Sequence, residues 1–431
     1  MLKPTKKLVN SLPKILRQLP FGIQMSTASR THNFPDWLEH VHTTPTYLTD
    51  VIETLTEREE IRESAREASR HSTHSSRTHR LVHLPSFLTK DSEKTSHYSI
   101  SVGCQPEHRA RNRYSNVEPY DRQRVVVEHG SAEPLGRYLN ANWVRELAGG
   151  KWWIATQAPL PETVHAYLSV LLQPIVRAPA HSHPVFNSRA DFNSKTSQIR
   201  TVVQLTQDFE SGMRKAHVYF PPIVGESWIV EPEPGCNAPK LKVTLLSVKD
   251  IDEAHCAQST VSIQPISPSH QDEGEPVVFR HLLYASWPDH GVPKRENRLA
   301  LFKFIHLADS INRDLCDQPA ESRDQLDSDP PIMVNCSAGI GRTGCFIAVS
   351  SLFRKYGFLP PSTSNLYDPS KDHLPLPPSP IGPLPAGFTR DLVAQEIDAL
   401  REQRPGMLQR PSQVTLVYEM LMAAFASAST T

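Results

Sequence analysis

The order of apolar and polar positions predicts a series of strands and helices in the C-terminal two thirds of the chain. Residues 277–284 alternate as a half-buried strand does, and residues 331–335 form a short apolar run typical of a buried strand. Residues 343–356 and 391–404 carry apolar positions at helical spacing. Strands interleaved with helices predict an α+β domain, in which a twisted mixed β-sheet is flanked by helices.

The N-terminal third has a different pattern. Residues 34–68 predict a helical segment that packs on the rest of the chain, and residues 69–105, rich in Ser, Thr, His and Arg, predict a disordered linker. Residues 1–33 contain no Asp or Glu but several Lys and Arg, so they are interpreted as a disordered basic tail, with a mitochondrial transit peptide as the alternative. Three prolines in that tail count against a continuous amphipathic helix.

Composition excludes some classes of protein. The 46 Lys and Arg balance 46 Asp and Glu, so no overall field favours nucleic acid. No apolar run reaches the roughly 18 residues that a membrane span requires. Six cysteines without paired spacing indicate a reducing compartment, so we expect a cytoplasmic protein, with the nucleus also compatible.

Thirty-eight prolines against 18 glycines indicate long irregular segments. Three stretches are interpreted as insertions, at residues 178–197, 314–329 and 359–387. The last is strongly Pro-rich and predicts an extended surface loop, which is either a docking ligand for a proline-reading module or tolerated length.

The segment Val-Asn-Cys-Ser-Ala-Gly-Ile-Gly-Arg-Thr-Gly, residues 334–344, lies between the predicted buried strand and the apolar helix. Its small residues let successive backbone N–H groups point inward at a helix N-terminus, which makes a cradle for a tetrahedral dianion. The same field favours a thiolate at Cys336. Arg342 can fold back and bind two phosphate oxygens. The cradle consists of Ser337, Ala338, Gly339, Ile340, Gly341 and Thr343.

This string resembles the signature loop of the cysteine-dependent protein tyrosine phosphatases, His-Cys-(five residues)-Arg-Ser/Thr. Asn335 stands where that family has a histidine, which helps to keep the thiolate charged. Asparagine can hydrogen-bond to the loop backbone but carries no charge. The departure therefore concerns the rate and the pKa of Cys336 more than the class of enzyme.

A second segment, residues 281–293, is similar to the mobile Trp-Pro-Asp loop of the same family. Cleavage of a phosphate ester at neutral pH requires a proton for the leaving oxygen, and a carboxylic acid on a closing loop can supply it. The resemblance implies that Asp289, two residues after Trp287, is this general acid.

Three further matches follow the family order. Residues 111–121 are similar to the substrate loop, which implies that Tyr114 forms one wall of a deep slot and that Asn116 holds the substrate backbone. Gln409 and Gln413 resemble the late glutamine loop that places the hydrolytic water. Glu210 sits where the family has a carboxylate that orients the signature arginine.

The ordered motifs imply one catalytic domain, residues 106–424, in a non-receptor, tyrosine-specific protein phosphatase. By this resemblance it hydrolyses phosphotyrosine through a phosphocysteine intermediate, needs no metal or other cofactor, and acts on tyrosine-phosphorylated proteins such as a signalling kinase. Two alternatives stay open. Asn335 is compatible with a catalytically weak phosphotyrosine-binding protein, and a dual-specificity or lipid phosphatase would share the loop but lack the wall at Tyr114.

Overall fold

The computed structural model describes residues 34–72, 86–127, 136–176, 185–186, 197–266, 275–289, 291–318, 323–324, 326–363 and 378–428. Within these ranges the helices are α1 (Asp36–Thr43), α2 (Tyr47–Ser72), α3 (Ser86–His97), α4 (Val164–Leu172), α5 (Arg298–Arg313), α6 (Gly341–Lys355), α7 (Leu392–Gln403) and α8 (Pro411–Ala428). The strands are β1 (Arg124–Val127), β2 (Arg137–Arg145), β3 (Trp152–Gln157), β4 (Ile175–Val176), β5 (Val185–Phe186), β6 (Thr201–Gln204), β7 (Phe209–Glu210), β8 (Met213–Arg214), β9 (Ser227–Val230), β10 (Lys240–Ile251), β11 (Cys256–Ile266), β12 (Val277–Tyr284) and β13 (Ile332–Cys336).

A nine-stranded mixed sheet runs in the order β1-β2-β3-β13-β6-β12-β11-β10-β9. Its four central strands, β3, β13, β6 and β12, are mutually parallel, and the strands on either side are antiparallel. The carboxyl ends of the parallel strands therefore meet at one edge of the sheet, where open sheets of this kind bind ligands. The predicted α+β class is confirmed.

Strand β13 divides its side chains between two cores, because successive residues of a strand point to opposite faces. Ile332 and Val334 join the larger core, which the sheet forms with α1, α2 and α5–α8. Met333 joins the second core, where Tyr167 and Leu168 of α4 cover the other face. Because both faces of the strand are covered, its sequence is a nearly continuous run of apolar residues.

The strongest sequence patterns correspond closely to observed elements. The strand predicted at 277–284 is β12, and the strand predicted at 331–335 is β13, one residue later. The helix predicted to start at residue 343 starts two residues earlier, at Gly341. The N–H of Gly344 donates to the Ile340 carbonyl at 2.9 Å, which closes the first helical turn inside the glycine-rich loop.

The disorder predicted for residues 69–105 is wrong at both ends of that segment. Residues 69–72 complete α2, and residues 86–97 form α3. Tyr98 and Ile100 are fully buried, and the Tyr98 hydroxyl donates to Glu402 at 2.8 Å. The buried side chains of Tyr98 and Ile100 thus fix a segment whose average composition is polar. Residues 1–33 and 73–85 lie outside the described residues.

Two of the predicted insertions contribute to the fold at their ends. Asp329 is fully buried and accepts hydrogen bonds from Lys151 and Arg313. Leu359 and Leu384 are also buried, so the Pro-rich segment is anchored at both ends although residues 364–377 lie outside the described residues. Most of the remaining predicted insertion, residues 178–197, also lies outside the described residues. No helix in the described part of the chain is both long and apolar enough to cross a membrane.

Candidate active site

The signature loop lies at the carboxyl end of the central strand. Cys336 is the last residue of β13, and α6 begins at Gly341, so the N-terminal end of a 15-residue helix faces the loop. Gly339 has a φ of +71°, and a Cβ at this position would collide with the Thr156 carbonyl of the neighbouring strand β3. The loop can therefore adopt this path only with glycine at position 339.

Cys336 is 5% exposed and its pKa is lowered. Burial alone raises the pKa of a thiol. Here the charge of Arg342, the hydroxyl of Thr343 and the N–H groups of Thr343 and Ile340 outweigh burial. The surroundings thus favour the thiolate, which is the nucleophilic form of cysteine.

Arg342 is held by a carboxylate behind the loop. Its two terminal nitrogens donate to the two carboxylate oxygens of Glu210, each at 2.6 Å. Nη1 also donates to the Leu205 carbonyl at 3.0 Å. This paired geometry fixes the plane of the guanidinium, so the structure places Glu210 where the sequence predicted a carboxylate that orients Arg342.

Asp289 reaches the same arginine from the other side. Its Oδ1 lies 3.2 Å from Arg342 Nη2, and its Oδ2 lies 2.8 Å from Lys215 Nζ. Trp287 is buried, and its indole N–H donates to the Gly291 carbonyl at 3.1 Å, which closes the Trp-Pro-Asp turn on itself. The Asp289 carboxylate is therefore held over the cavity by two cations.

Sequence reasoning missed Lys215. It lies four residues before Tyr219, in a segment that resembles a core segment of the phosphatases, but this resemblance did not single it out among the basic residues. Lys215 is 4% exposed and its side chain points at Asp289.

The wall of the cavity is Tyr114. Its hydroxyl lies 2.8 Å from Ser337 Oγ, and Ser337 in turn donates to the Lys215 carbonyl at 2.8 Å. Next to it, the Arg113 guanidinium donates to the Ala158 and Pro159 carbonyls. These bonds fix the ring at the edge of the cradle, while Asn116 is exposed on the rim.

The two predicted glutamines have different surroundings. Gln409 is exposed and lines the cavity, whereas Gln413 is 4% exposed. The Gln413 side-chain carbonyl accepts from the Arg410 N–H at 3.1 Å. The first glutamine is thus available to a water molecule, and the second caps the start of α8 and lies beside Gly341 of the loop.

Arg404 was also missed, and nothing in its sequence context marked it. It is fully buried and donates to the carbonyls of Gly339 at 2.7 Å and Ala338 at 3.0 Å. Asn140 and Asn142 of β2 accept from the same guanidinium at 3.0 Å each. With these carbonyls directed towards Arg404, the N–H groups on the opposite side of the loop are turned to the cavity.

Asn335, the departure from the signature, is fully buried on the far side of β13. Its Oδ1 accepts from the Tyr167 hydroxyl at 3.2 Å, and its Nδ2 donates to the Cys336 carbonyl at 3.3 Å. It therefore supports the loop backbone as a neutral hydrogen-bonding residue.

These residues surround one cavity of about 480 Å³. Its lining includes eleven of the predicted site residues, namely Tyr114, Asn116, Asp289, Cys336, Ser337, Ala338, Ile340, Gly341, Arg342, Gln409 and Gln413. Five predicted site residues lie outside the lining, namely Glu210, Trp287, Asn335, Gly339 and Thr343. Gly339 and Thr343 belong to the loop itself, and Glu210 and Asn335 hydrogen-bond to Arg342 and to the Cys336 carbonyl, respectively. Across the described ranges, no cluster of three or more His, Cys, Asp or Glu residues could hold a metal ion.

Comparison with known proteins gives one family. The profile described as Protein-tyrosine phosphatase matches residues 108–178 and 182–357, more than half of the chain. The chain is 31% identical to human receptor-type tyrosine-protein phosphatase H over 257 residues, which is 60% of this chain and 18% of that protein. It is 26% identical to the Caenorhabditis elegans tyrosine-protein phosphatase Lar-like over 340 residues, covering 78% of this chain and 12% of the relative.

A third relative is human tyrosine-protein phosphatase non-receptor type 14, which is 26% identical over 257 residues, or 59% of this chain and 18% of that protein. The chain thus spans less than a fifth of the length of these relatives. They include both receptor-type and non-receptor proteins.

Proposed function

The chain belongs to the protein-tyrosine phosphatase family, and from this premise we propose that it hydrolyses phosphotyrosine in proteins through a phosphocysteine intermediate. One observation supports the proposal most. A cysteine with a lowered pKa lies in a cradle of backbone N–H groups, with Arg342 and Asp289 above it.

In the first step, Cys336 Sγ attacks phosphorus in line with the tyrosyl oxygen. The S–P bond forms as the P–O bond to tyrosine breaks, and Asp289 gives its proton to the leaving oxygen. The three equatorial phosphate oxygens are stabilised by Arg342 and the inward N–H groups. Glu210 keeps the guanidinium in the orientation that this contact requires.

In the second step, a water molecule attacks phosphorus from the side that tyrosine has left. Asp289, now ionised, accepts a proton from the water, and Gln409 orients it because an amide can both donate and accept. The S–P bond breaks, Cys336 leaves as a thiolate and inorganic phosphate is released. The interactions that lower the pKa of Cys336 therefore assist both steps.

Specificity for tyrosine is proposed from the wall at Tyr114. A phenyl ring can pack against the Tyr114 ring while its phosphate reaches the cradle, whereas the short side chain of phosphoserine would not span the same depth. The hydrogen bond between Tyr114 and Ser337 supports this wall. It disfavours the dual-specificity and lipid-phosphatase alternatives.

The weakly catalytic alternative rested on Asn335. The charge and hydrogen bonds that lower the pKa of Cys336 come from Arg342, Thr343 and Ile340, none of which depends on residue 335. We therefore propose an active enzyme. The non-receptor subtype, the cytoplasmic location, a signalling kinase as substrate and a domain bounded at residues 106 and 424 stay predictions.

The test is hydrolysis of matched phosphotyrosine and phosphothreonine peptides, with and without a chelator. We expect turnover of the phosphotyrosine peptide alone, unaffected by the chelator. Cys336→Ser should abolish turnover and retain peptide binding, and Cys316→Ser, which alters an exposed cysteine elsewhere, should match the wild type. Equal turnover of both peptides, or an active Cys336→Ser protein, would contradict the proposal.

A further inference from the structure

Two arginines stand on the rim of the cavity, on different loops. Arg214 ends the short hairpin of β7 and β8 and is exposed. Arg410 is half-buried and immediately precedes α8. Both line the same cavity as Cys336 and Arg342, although neither belongs to the signature loop.

The cations deeper in the cavity are already engaged. Arg342 is bonded to Glu210 and Asp289, and Lys215 is bonded to Asp289. Arg113 uses its guanidinium on the carbonyls of the β3–α4 connection. These groups hold the phosphate site together and have little capacity for other parts of a substrate.

The rim arginines are different. Among the residues that the structure describes, no carboxylate lies within ion-pair distance of Arg410 or Arg214. The Arg214 guanidinium lies 4.1 Å above the exposed Phe209 ring, and Asp208 acts on it only through its charge. Both cations can therefore bind an incoming anion without first giving up an ion pair.

The substrate loop adds no opposing charge at this rim. Ser115 and Asn116 are exposed and neutral. The positive end of the 18-residue helix α8 lies next to Arg410 and favours an anion at the same place. A peptide whose phosphotyrosine is in the cradle must cross this rim with its neighbouring residues.

We propose that Arg410 and Arg214 form a specificity subsite for acidic side chains next to the phosphotyrosine, so that the favoured substrates are phosphotyrosine peptides with flanking Asp or Glu. This inference rests on the proposed function. The planar guanidinium can bind a carboxylate through two parallel hydrogen bonds, which an amide of the same shape cannot match. The exposed apolar side chains of Phe209 and Met213 beside Arg214 suit a peptide chain.

Neither arginine takes part in the proposed bond-forming or bond-breaking steps, so this contact should be equally strong before and during the reaction. Such uniform binding changes KM and leaves kcat nearly constant. An ion pair at a partly exposed rim contributes only a modest binding free energy. We therefore expect that removal of one arginine charge reduces the preference for an acidic peptide about threefold. Replacement of that positive charge by a negative one should reduce the preference about tenfold. The preference should weaken as salt increases.

The experiment compares two phosphotyrosine peptides that differ only in flanking Glu or Gln on both sides. The measured quantity is the ratio of their kcat/KM values for the wild type, Arg410→Gln, Arg410→Glu and Arg214→Gln. Lys249→Gln, which alters an exposed lysine of β10 outside the cavity lining, is the matched control. We expect a ratio that favours Glu in the wild type and the control, and a stepwise decrease in the rim variants through KM.

Each contrary result has a separate meaning. If the wild type hydrolyses both peptides with equal kcat/KM, the subsite is refuted while the proposed function stands; if it hydrolyses neither, the proposed function itself fails. A preference for Glu that survives in Arg410→Glu and in Arg214→Gln also overturns the subsite. Vesicles that contain phosphatidylinositol phosphates provide the last arm, because loss of activity on vesicles alone in the rim variants would assign the rim to lipid headgroups.

Discussion

Thr343→Val tests how the thiolate is held, because it exchanges one hydroxyl for a methyl group of nearly the same size. Thr343 is fully buried on the first turn of α6, and its hydroxyl is one of the groups that lower the pKa of Cys336. Because the side chain is fully buried, its neighbours leave little room for it to change position after the substitution. The Thr343 hydroxyl makes no hydrogen bond of ordinary geometry within the described residues, so the substitution should remove its interaction with the nearby sulfur and little else.

The expected size follows from the strength of such a bond. A hydrogen bond to a charged group contributes about 1.5–3 kcal/mol, and one pKa unit corresponds to about 1.4 kcal/mol. Loss of a full hydrogen bond sets the upper limit, so Thr343→Val should raise the pKa of Cys336 by at most about one to two units. Thr343→Ser keeps the hydroxyl and should leave the pKa close to that of the wild type.

Inactivation by iodoacetate as a function of pH measures this pKa, since only the thiolate reacts rapidly. The Thr343→Val curve should shift towards higher pH, and its plateau at high pH should approach that of the wild type. The second step should also slow, because Cys336 leaves as a thiolate, so a burst of tyrosine release should precede steady turnover. Overlapping curves for Thr343→Val and the wild type would refute the reasoning. They would show that Arg342 and the loop amides alone stabilise the thiolate.

Three further predictions concern other parts of the molecule. Asp289→Ala should lower kcat about a hundredfold or more, the usual range for a general acid, and unchanged turnover of an aryl phosphate with a poor leaving group would contradict it. Asn335→His should lower the pKa of Cys336 and raise activity chiefly below neutral pH, where the thiolate fraction is smallest; identical iodoacetate profiles would show that Asn335 is no weakness. Arg62→Met should destabilise the fold by about 3 kcal/mol or more in urea unfolding, because the buried carboxylates of Asp398 and Glu402 lose their shared partner. Lys303→Met, which breaks the exposed pair with Glu253, should leave the midpoint nearly unchanged, and equal midpoints for the two variants would contradict the prediction.

The sequence predicted the parts of the site that lie on contiguous motifs. The segment 334–344 places a nucleophile, a cradle and a cation in one strand-to-helix turn, so its geometry depends mostly on local backbone and on the helix that follows. The pairing of Arg342 with Glu210 joins residues that are 132 positions apart. It was predictable only through resemblance to a family.

Lys215 and Arg404 show why the rest could not be predicted. Each is one basic residue among 46, and its role depends on which loop the fold brings next to it. The same holds for the polar segment that precedes the substrate loop, where Tyr98 finds a buried carboxylate 304 positions away. Local composition predicts disorder in that segment, whereas a long-range partner determines its structure.

The position of Arg404 determines whether the free-energy cost of orienting the loop dipoles is incurred during folding or during catalysis. Because its buried guanidinium restrains the carbonyls of Ala338 and Gly339, the loop dipoles are oriented when the chain folds and need little reorganisation when a phosphate arrives. Burial lowers the pKa of Arg404 to about 10, so the restraint stays charged at neutral pH. The cradle is thus preorganised by a residue outside the cavity lining, and a neutral substitute for Arg404 would transfer the cost of ordering these dipoles from folding to every catalytic cycle.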